Sequence, residues 1–483
     1  MILDLKQYIT KYWKYYLTVF LVIFSISHSI IRINKPFGTG HFLENGGGIG
    51  TAHLDNINAR QGTWNENFIQ NGYLKTKFGK PEGFERDKRC IKDQYFNHPS
   101  LGPILYSLPV WLLGNEEWAI RIVPLLIFLF NLFLLYKIIS HIFDTKSGLI
   151  AVIIYSFFPV NRVYNMLPDF YGPLFFTYTF LIIYFIFKYD QREKTRYKIS
   201  FFVIYFLSLL HEWFSIVNIF IILFYYLFFK RKKIYEGLFF LVILTNVAFL
   251  LNFLHIYLLT GSWMVDELIG QFRYRAGELN FINSILFSLN FQKAFGMVAI
   301  LLAIVGIFLF FKIKNKKFKL VFYSQVLNSL FFLVTYEQAF QLHWFLFINF
   351  SLFIILAIFS ALEFCKERGY FIFKLLLPII LFLIILNSQF VINEYYQEDN
   401  SLYYYDLIKK FLETAIYNSD DTLVLLRNSR FLFFQGDYYL AKAGYCLDLI
   451  SDNPYEYNNL KGFKNIVFIE LDENNNLKIE KIK

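Results

Sequence analysis

The stretch that most constrains this chain runs from residue 199 to 229. It is almost wholly apolar, with Arg192, Lys194, Arg196 and Lys198 before it and Lys230-Arg231-Lys232-Lys233 after it. As one helix it would be ~45 Å long, well over the ~30 Å of a bilayer's hydrocarbon core. Both basic flanks belong on the cytoplasmic side of a membrane. The segment must therefore cross, turn and come back, and the only strongly polar place to turn is His211-Glu212-Trp213. That reading puts Glu212 at the outer surface.

Apolar runs of this kind recur. The candidate spans are 14–33, 120–139, 147–163, 169–188, 199–211, 213–229, 236–259, 293–312, 319–336, 343–363 and 371–391. The chain is 56% hydrophobic and only 17% charged, against about 25% charged in soluble domains, which excludes an ordinary soluble fold. The net charge of +10 is no nucleic-acid signal, because Lys and Arg sit mostly in short loops between the spans, as the positive-inside rule requires. The first run, Tyr16 to Ile31, has no small-residue cleavage site and reads as a retained span. The basic loops at Lys137–Lys146, Lys312–Lys319 and Lys366–Lys374 fall inside, and 34–119, 164–168, 260–292 and 337–342 fall outside.

This parity holds only if QYFNHPSLGPILYSLPVWLLG, residues 94–114, does not cross. Prolines at 99, 103 and 109 break it, since proline removes a backbone donor and clashes with the preceding turn. It suits a helix lying at the outer interface. The tail from 392 to 483 is then also outside. It is polar, with strand-like runs at Thr422–Leu426 and Asn465–Ile469 and a helix-like 430–443 between them, which predicts a small α/β domain. The expectation is an all-α polytopic membrane domain over 1–391, with about 11 transmembrane helices, surface helices in the first outer loop (34–119), and an extracytoplasmic domain over 392–483.

Chemistry is expected at the outer face. Asp55 and Arg60 lie in His53–Arg60 of the first outer loop, Asp169 follows Pro168 at the start of a span, and Glu212 sits in the tight turn. Three carboxylates from three loops could converge on one cleft and deprotonate a hydroxyl. Asp55 and Asp169 also read plainly as helix caps. Arg273 and Arg275 are basic groups on the outer side, against the usual bias, and suit either a phosphate or lipid head groups. His343 begins the tenth span. The cysteines Cys90, Cys365 and Cys446 have no zinc spacing, and Gly46–Gly50 lacks the strand–helix context of a nucleotide loop.

These residues, in this order, resemble the GT-C superfamily of integral-membrane glycosyltransferases, in the branch of protein O-mannosyltransferases and lipid A aminoarabinose transferases. The matching pieces are Asp55 with Ala59-Arg60 and Gly72-Tyr73-Leu74; His98-Pro99-Ser100-Leu101 running to Gly114 and Glu117-Trp118-Ala119-Ile120-Arg121; Asp169; and His343. The resemblance covers roughly residues 50–365. It departs at Ser100, where the family has a second proline, and at Asp55-Asn56, where many protein mannosyltransferases have Asp-Glu; a mannose donor and a protein acceptor do not follow from it.

The resemblance implies transfer of a sugar from a polyprenyl-phosphate donor to an acceptor hydroxyl, outside the cytoplasm and with inversion. Asp55 would be the general base and Asp169 a positioning group. His98, Arg273 and Arg275 would hold the lipid phosphate, with Arg60, Glu212 and His343 as further substrate-binding groups. No cofactor is implied; a divalent metal is compatible with these residues but not required by them. The partners would be the lipid donor, membrane lipids and an acceptor that is a protein, lipid A or a glycan, with no nucleic acid. The expected location is the cell membrane, with a cytoplasmic N-terminus. The rival readings are a transporter or flippase of lipid-linked sugars, which would place charge inside the spans, and a glycan polymerase or ligase, whose long polar loop usually comes later in the chain.

Overall fold

The structure is a computed structural model of the 483-residue chain. It describes residues 2–35, 51–82, 93–96, 98–168, 172–276, 289–335, 344–397 and, further on, 409, 412–413, 422–427, 439, 442–443, 445–450, 465–471 and 477–481.

The apolar runs form helices: α1 (Ile2–Arg32), α4 (Glu117–Ile142), α5 (Thr145–Ser156), α6 (Pro159–Tyr164), α7 (Pro173–Arg192), α8 (Thr195–His211), α9 (Ile219–Phe229), α10 (Ile234–Thr260), α13 (Met297–Leu309), α14 (Lys316–Thr335), α15 (Ser351–Arg368) and α16 (Tyr370–Gln397). Around them lie α2 (Thr51–Asn71), α3 (Leu101–Leu113), α11 (Val265–Ala276) and a short α12 (Leu289–Phe295). The chain is a multi-pass membrane protein. Among the described residues, six helices are long and apolar enough to cross on their own, or seven if α12 and α13 count as one bent span.

The other expected spans are helical but shorter or broken. The span read at 147–163 stops at Ser156 and restarts at Pro159, where proline is tolerated because a first-turn residue needs no N–H. The span read from 169 begins instead at Pro173, behind Gly172. The span read from 293 is bent by 97° at Gly296, whose φ of +82° is open to glycine and costly for other residues.

The turn at His211–Trp213 is where the sequence put it. Along α10, Glu236 pairs with Lys198, Thr245 with Tyr205 and Asn252 with the Leu209 carbonyl, while Gly237 lies against Tyr226 and Phe249 against Trp213. So α8 runs parallel to α10 and α9 runs back. A 3₁₀ turn, Trp213–Asn218, joins them.

The loops sort onto two ends. At one end Lys317 contacts Asp190 and His141, Lys366 contacts Asp144 and Glu363, and Lys230 contacts Glu193. This is the basic end. At the other, Arg121 meets the end of α1, Lys77 and His255 meet across α10, and α2 and α3 lie across the bundle. The tail reaches this second end: Lys442 Nζ donates to Glu116 (2.6 Å) and Tyr439 OH to Glu117 (2.8 Å). The described parts of the first loop thus share one end with the C-terminus of α10 and with Tyr439 and Lys442 of the tail.

The tail carries a four-stranded sheet ordered β4-β3-β5-β6, from β3 (Thr422–Arg427), β4 (Cys446–Ile450), β5 (Asn465–Leu471) and β6 (Leu477–Lys481). β3 pairs in parallel with β4 and β5, and β6 closes antiparallel on β5. Both strands read from the sequence are present. Most of 430–443 lies outside the described residues.

Small residues set the helix spacing, as in membrane bundles generally. A Cβ on Gly306 would fall 1.7 Å from the carbonyl oxygen of Ala357, so α13 and α15 touch through backbone. Gly306→Ala is expected to push them apart and cost about 1–3 kcal/mol, read as a lower midpoint in thermal unfolding of the solubilised protein.

Candidate active site

The end of the bundle opposite the basic loops is built on polar side chains. α2 is buried along much of its length although it is rich in Asn, Gln and Thr: Asn58, Gln61, Thr63, Asn65, Glu66 and Asn67 are all buried. Buried polar groups are usually hydrogen-bonded, and several of these are, although the Asn58 amide has no partner among the described residues. Gln61 donates to Asn65 (2.7 Å) and to the Pro103 carbonyl (3.1 Å). Asn115 donates to the Gly62 carbonyl (2.9 Å) and to Glu66 (2.8 Å). α2 is thereby fixed to α3 and to the start of α4.

α3 is the broken helix. It carries Pro109 inside, buries Tyr106, Ser107 and Val110, and exposes Leu108, Trp111, Leu112 and Leu113. One face lies on the protein and the other is apolar and open, as expected of a surface helix in a membrane interface. Its N-terminus sits on the α8–α9 turn. A Cβ on Gly102 would lie 2.7 Å from the ring of His211, so only glycine permits this approach.

Beside that contact, His98 Nδ1 lies 2.5 Å from Glu212 Oε2, with 5% and 0% exposure. With Glu212 ionised, Nδ1 carries the proton and donates. The Glu212 carboxylate also accepts from the Phe214 amide at 3.5 Å, capping the 3₁₀ turn. The expectation of Glu212 at the surface is corrected: the turn is at the end of the bundle, but α3 and the 93–100 segment cover it.

His98 stacks on Tyr95 (5.9 Å between centroids) and Tyr95 on Trp64 (5.8 Å). The Arg60 guanidinium lies 3.8 Å from the Tyr95 ring centre and Lys80 Nζ 5.1 Å from it. Lys80 is fully buried and donates to the carbonyls of His98 and Pro99. A two-residue ladder, β1 (Pro81–Glu82) with β2 (Asp93–Gln94), holds this loop closed.

Of the residues expected in the site, the structure therefore brings together His98, Glu212 and Arg60. Asp55 lies within α2, in its second turn, so the reading of Asp55 as an N-cap is corrected; α2 begins at Thr51. Its side chain lies outside the described residues, as do Asp169, His343 and the side chain of Arg275. Arg273 is exposed on α11 and does not join the cluster. Among the described residues no group of three His, Cys, Asp or Glu side chains could hold a metal ion; the acids on which that question turns, Asp55 and Asp169, are outside that set.

Sequence reading missed Lys80, Tyr95 and the work of two arginines. Arg121 is buried and donates to the carbonyls of Arg32 (3.2 Å), Ile33 (3.3 Å) and Lys35, tying off the C-terminus of α1. Arg162 is buried and donates to the Ser25 carbonyl (2.9 Å), Ser388 (3.1 Å) and Gln389 (3.3 Å), joining α1 to α16. Arg121 stood inside the quoted Glu117–Arg121 motif and serves the C-terminal end of α1, where unpaired carbonyls collect, whereas the Ser25 carbonyl that Arg162 serves lies inside α1. For Lys80 the only sequence signal was the turn-like Gly79-Lys80-Pro81.

The profile of the family described as dolichyl-phosphate-mannose-protein mannosyltransferase matches residues 97–256. No curated protein sequence matches the chain. Among solved structures, the chain is similar to the oligosaccharyltransferase of Archaeoglobus fulgidus in its apo form, with 11% identity, 95% of this chain and 69% of that one covered and a TM-score of 0.58. It is also similar to ArnT from Cupriavidus metallidurans in the apo state, with 10% identity, 93% and 92% covered and a TM-score of 0.61. The same ArnT bound to undecaprenyl phosphate matches with 11% identity, the same coverage and a TM-score of 0.61. At this identity the likeness is one of fold, and the GT-C architecture expected from the motifs is the architecture the chain has.

Removing the carboxylate from the buried His98–Glu212 pair leaves an unpartnered group with no access to water. Glu212→Ala is expected to cost about 3–5 kcal/mol, and Glu212→Gln, which keeps an acceptor, clearly less; thermal unfolding of the two variants side by side measures the difference.

Proposed function

We propose that this GT-C-fold membrane protein is a glycosyltransferase that moves a sugar from a polyprenyl phosphate to an acceptor hydroxyl at the end of the bundle formed by α2, α3 and the α8–α9 turn. The observation that carries the reading is the braced polar platform there, with α2 bearing Asp55 held against a surface helix whose apolar face is open to lipid. The undecaprenyl phosphate bound by the fold relative from Cupriavidus metallidurans and the mannosyltransferase family profile over 97–256 support a lipid phosphate as carrier.

In this mechanism the acceptor oxygen attacks the anomeric carbon as the bond from that carbon to the phosphate oxygen breaks. Asp55 takes the hydroxyl proton, polyprenyl phosphate leaves with the bonding pair, and the configuration inverts. Asp169 positions the sugar or acceptor. His98 and Arg275 neutralise the phosphate, Arg60 and His343 bind nearby, and Arg273, exposed on α11, is left out of the site. Glu212 acts through His98, holding its ring and tautomer. No metal is needed for the proton transfer or for the departure of a phosphate, which is already a good leaving group. The platform lies on the extracytoplasmic side, where a lipid carrier replaces nucleotide sugars.

Removing a general base costs roughly 10²–10⁴ in rate. Membranes containing the protein are supplied with radiolabelled polyprenyl-phosphate sugars, and Asp55→Asn is expected to lose at least ~100-fold in transfer while retaining donor binding. Wild-type transfer by Asp55→Asn would rule out this base; absence of transfer from every lipid donor by the wild type would rule out the activity.

A further inference from the structure

At the basic end of the bundle, away from this platform, a cavity of about 390 Å³ opens between α1, α5, α15 and α16. Its floor is apolar, with Leu17, Ile150 and Leu377 among its lining. Its rim is charged, carrying Lys14, Lys146, Lys366 and Asp144. The charges divide unequally. Lys366 donates to Asp144 (2.9 Å) and to Glu363 (3.2 Å). Asp144 also accepts from the Ser147 amide (2.8 Å), capping α5. Burial opposes ionisation of Asp144, but Ser147 and Lys366 outweigh it and hold the carboxyl below its usual range. The acids are thus already paired. Among the described residues neither Lys14 nor Lys146 forms an ion pair, and both are exposed. Lys14 lies 5.7 Å from the ring of Trp13, and Trp13, Tyr15 and Tyr16 are all exposed, an aromatic belt that marks head-group depth.

We propose that this cavity seats an anionic phospholipid, its phosphate between Lys14 and Lys146 and the top of an acyl chain on Leu17, Ile150 and Leu377. An apolar floor below two ammonium groups without an ion pair among the described residues, at head-group depth, matches a lipid with one negative head group, and basic pockets between transmembrane helices are known to take such lipids. A zwitterionic head group would bring its own cation against the two lysines. A free phosphate would leave the floor unfilled.

The test uses the full chain in nanodiscs of phosphatidylcholine, alone or with an equal part of phosphatidylglycerol, with retained lipid read by native mass spectrometry. The wild type is expected to retain phosphatidylglycerol selectively. Lys14→Gln with Lys146→Gln should lower that affinity on the order of 30-fold, while Lys232→Gln with Lys233→Gln, at the same end but away from the cavity, should leave it unchanged. Leu377→Trp, which fills the floor and keeps both lysines, should also lose the lipid, and it decides the question if the double lysine variant does not fold. Equal retention of the two lipids, an equal loss in the Lys232/Lys233 control, or displacement of the lipid by soluble glycerol phosphate would overturn the proposal, the last in favour of a free anion.

Discussion

A carboxylate removed from water has to be matched by a donor, and Glu212 is matched by His98 at 2.5 Å. The two come from elements that would otherwise have little reason to stay together. Glu212 lies at the turn of the α8–α9 hairpin; His98 lies at the mouth of the proline-broken helix α3. Gly102 against His211 repeats the contact one turn on. With α3 pinned, Gln61 reaches the Pro103 carbonyl and Asn115 reaches the Gly62 carbonyl, so α2 is held as well. A polar helix that could not bury itself alone is buried through this sequence of contacts.

Cations do comparable work elsewhere in the bundle. The acceptors of Arg121 and Arg162 among the described residues include carbonyls, a hydroxyl and an amide oxygen. In a bilayer an unsatisfied carbonyl is costly, and a guanidinium with five donors can serve several at once. Two histidines within α1 and α10 have similar partners: His28 contacts Gln389 at 3.3 Å and His255 contacts the Lys77 carbonyl at 2.8 Å. They brace helix to helix and helix to loop, an arrangement that does not resemble a path for charge through the membrane.

The spans were legible because hydropathy is a local property. The hairpin at His211–Trp213 followed from length, since ~45 Å of helix exceeds the bilayer, together with the two basic flanks and the one polar place to turn. The proline-broken 94–114 segment was legible for the same kind of reason. What could not be read was burial. Glu212 looked exposed because a short polar turn usually is, and the residues that cover it come from more than a hundred positions earlier. Helix boundaries shifted where glycine or proline resets the start, as at Pro173 and Gly296. Lys80 gave almost no signal, since a lysine next to proline in a loop is ordinary until its neighbours are placed. His98 was singled out through its motif, and its partner Glu212 for a different reason; nothing in the spacing linked them.

The contacts of Lys442 with Glu116 and of Tyr439 with Glu117 span 326 and 322 positions. At 5–20 residues per second, the ribosome needs roughly 15–65 s to make the chain between them. Through that interval the start of α4 has been made and its two glutamates have no tail to meet. An early stop in translation would remove both contacts and spare the helices that precede them.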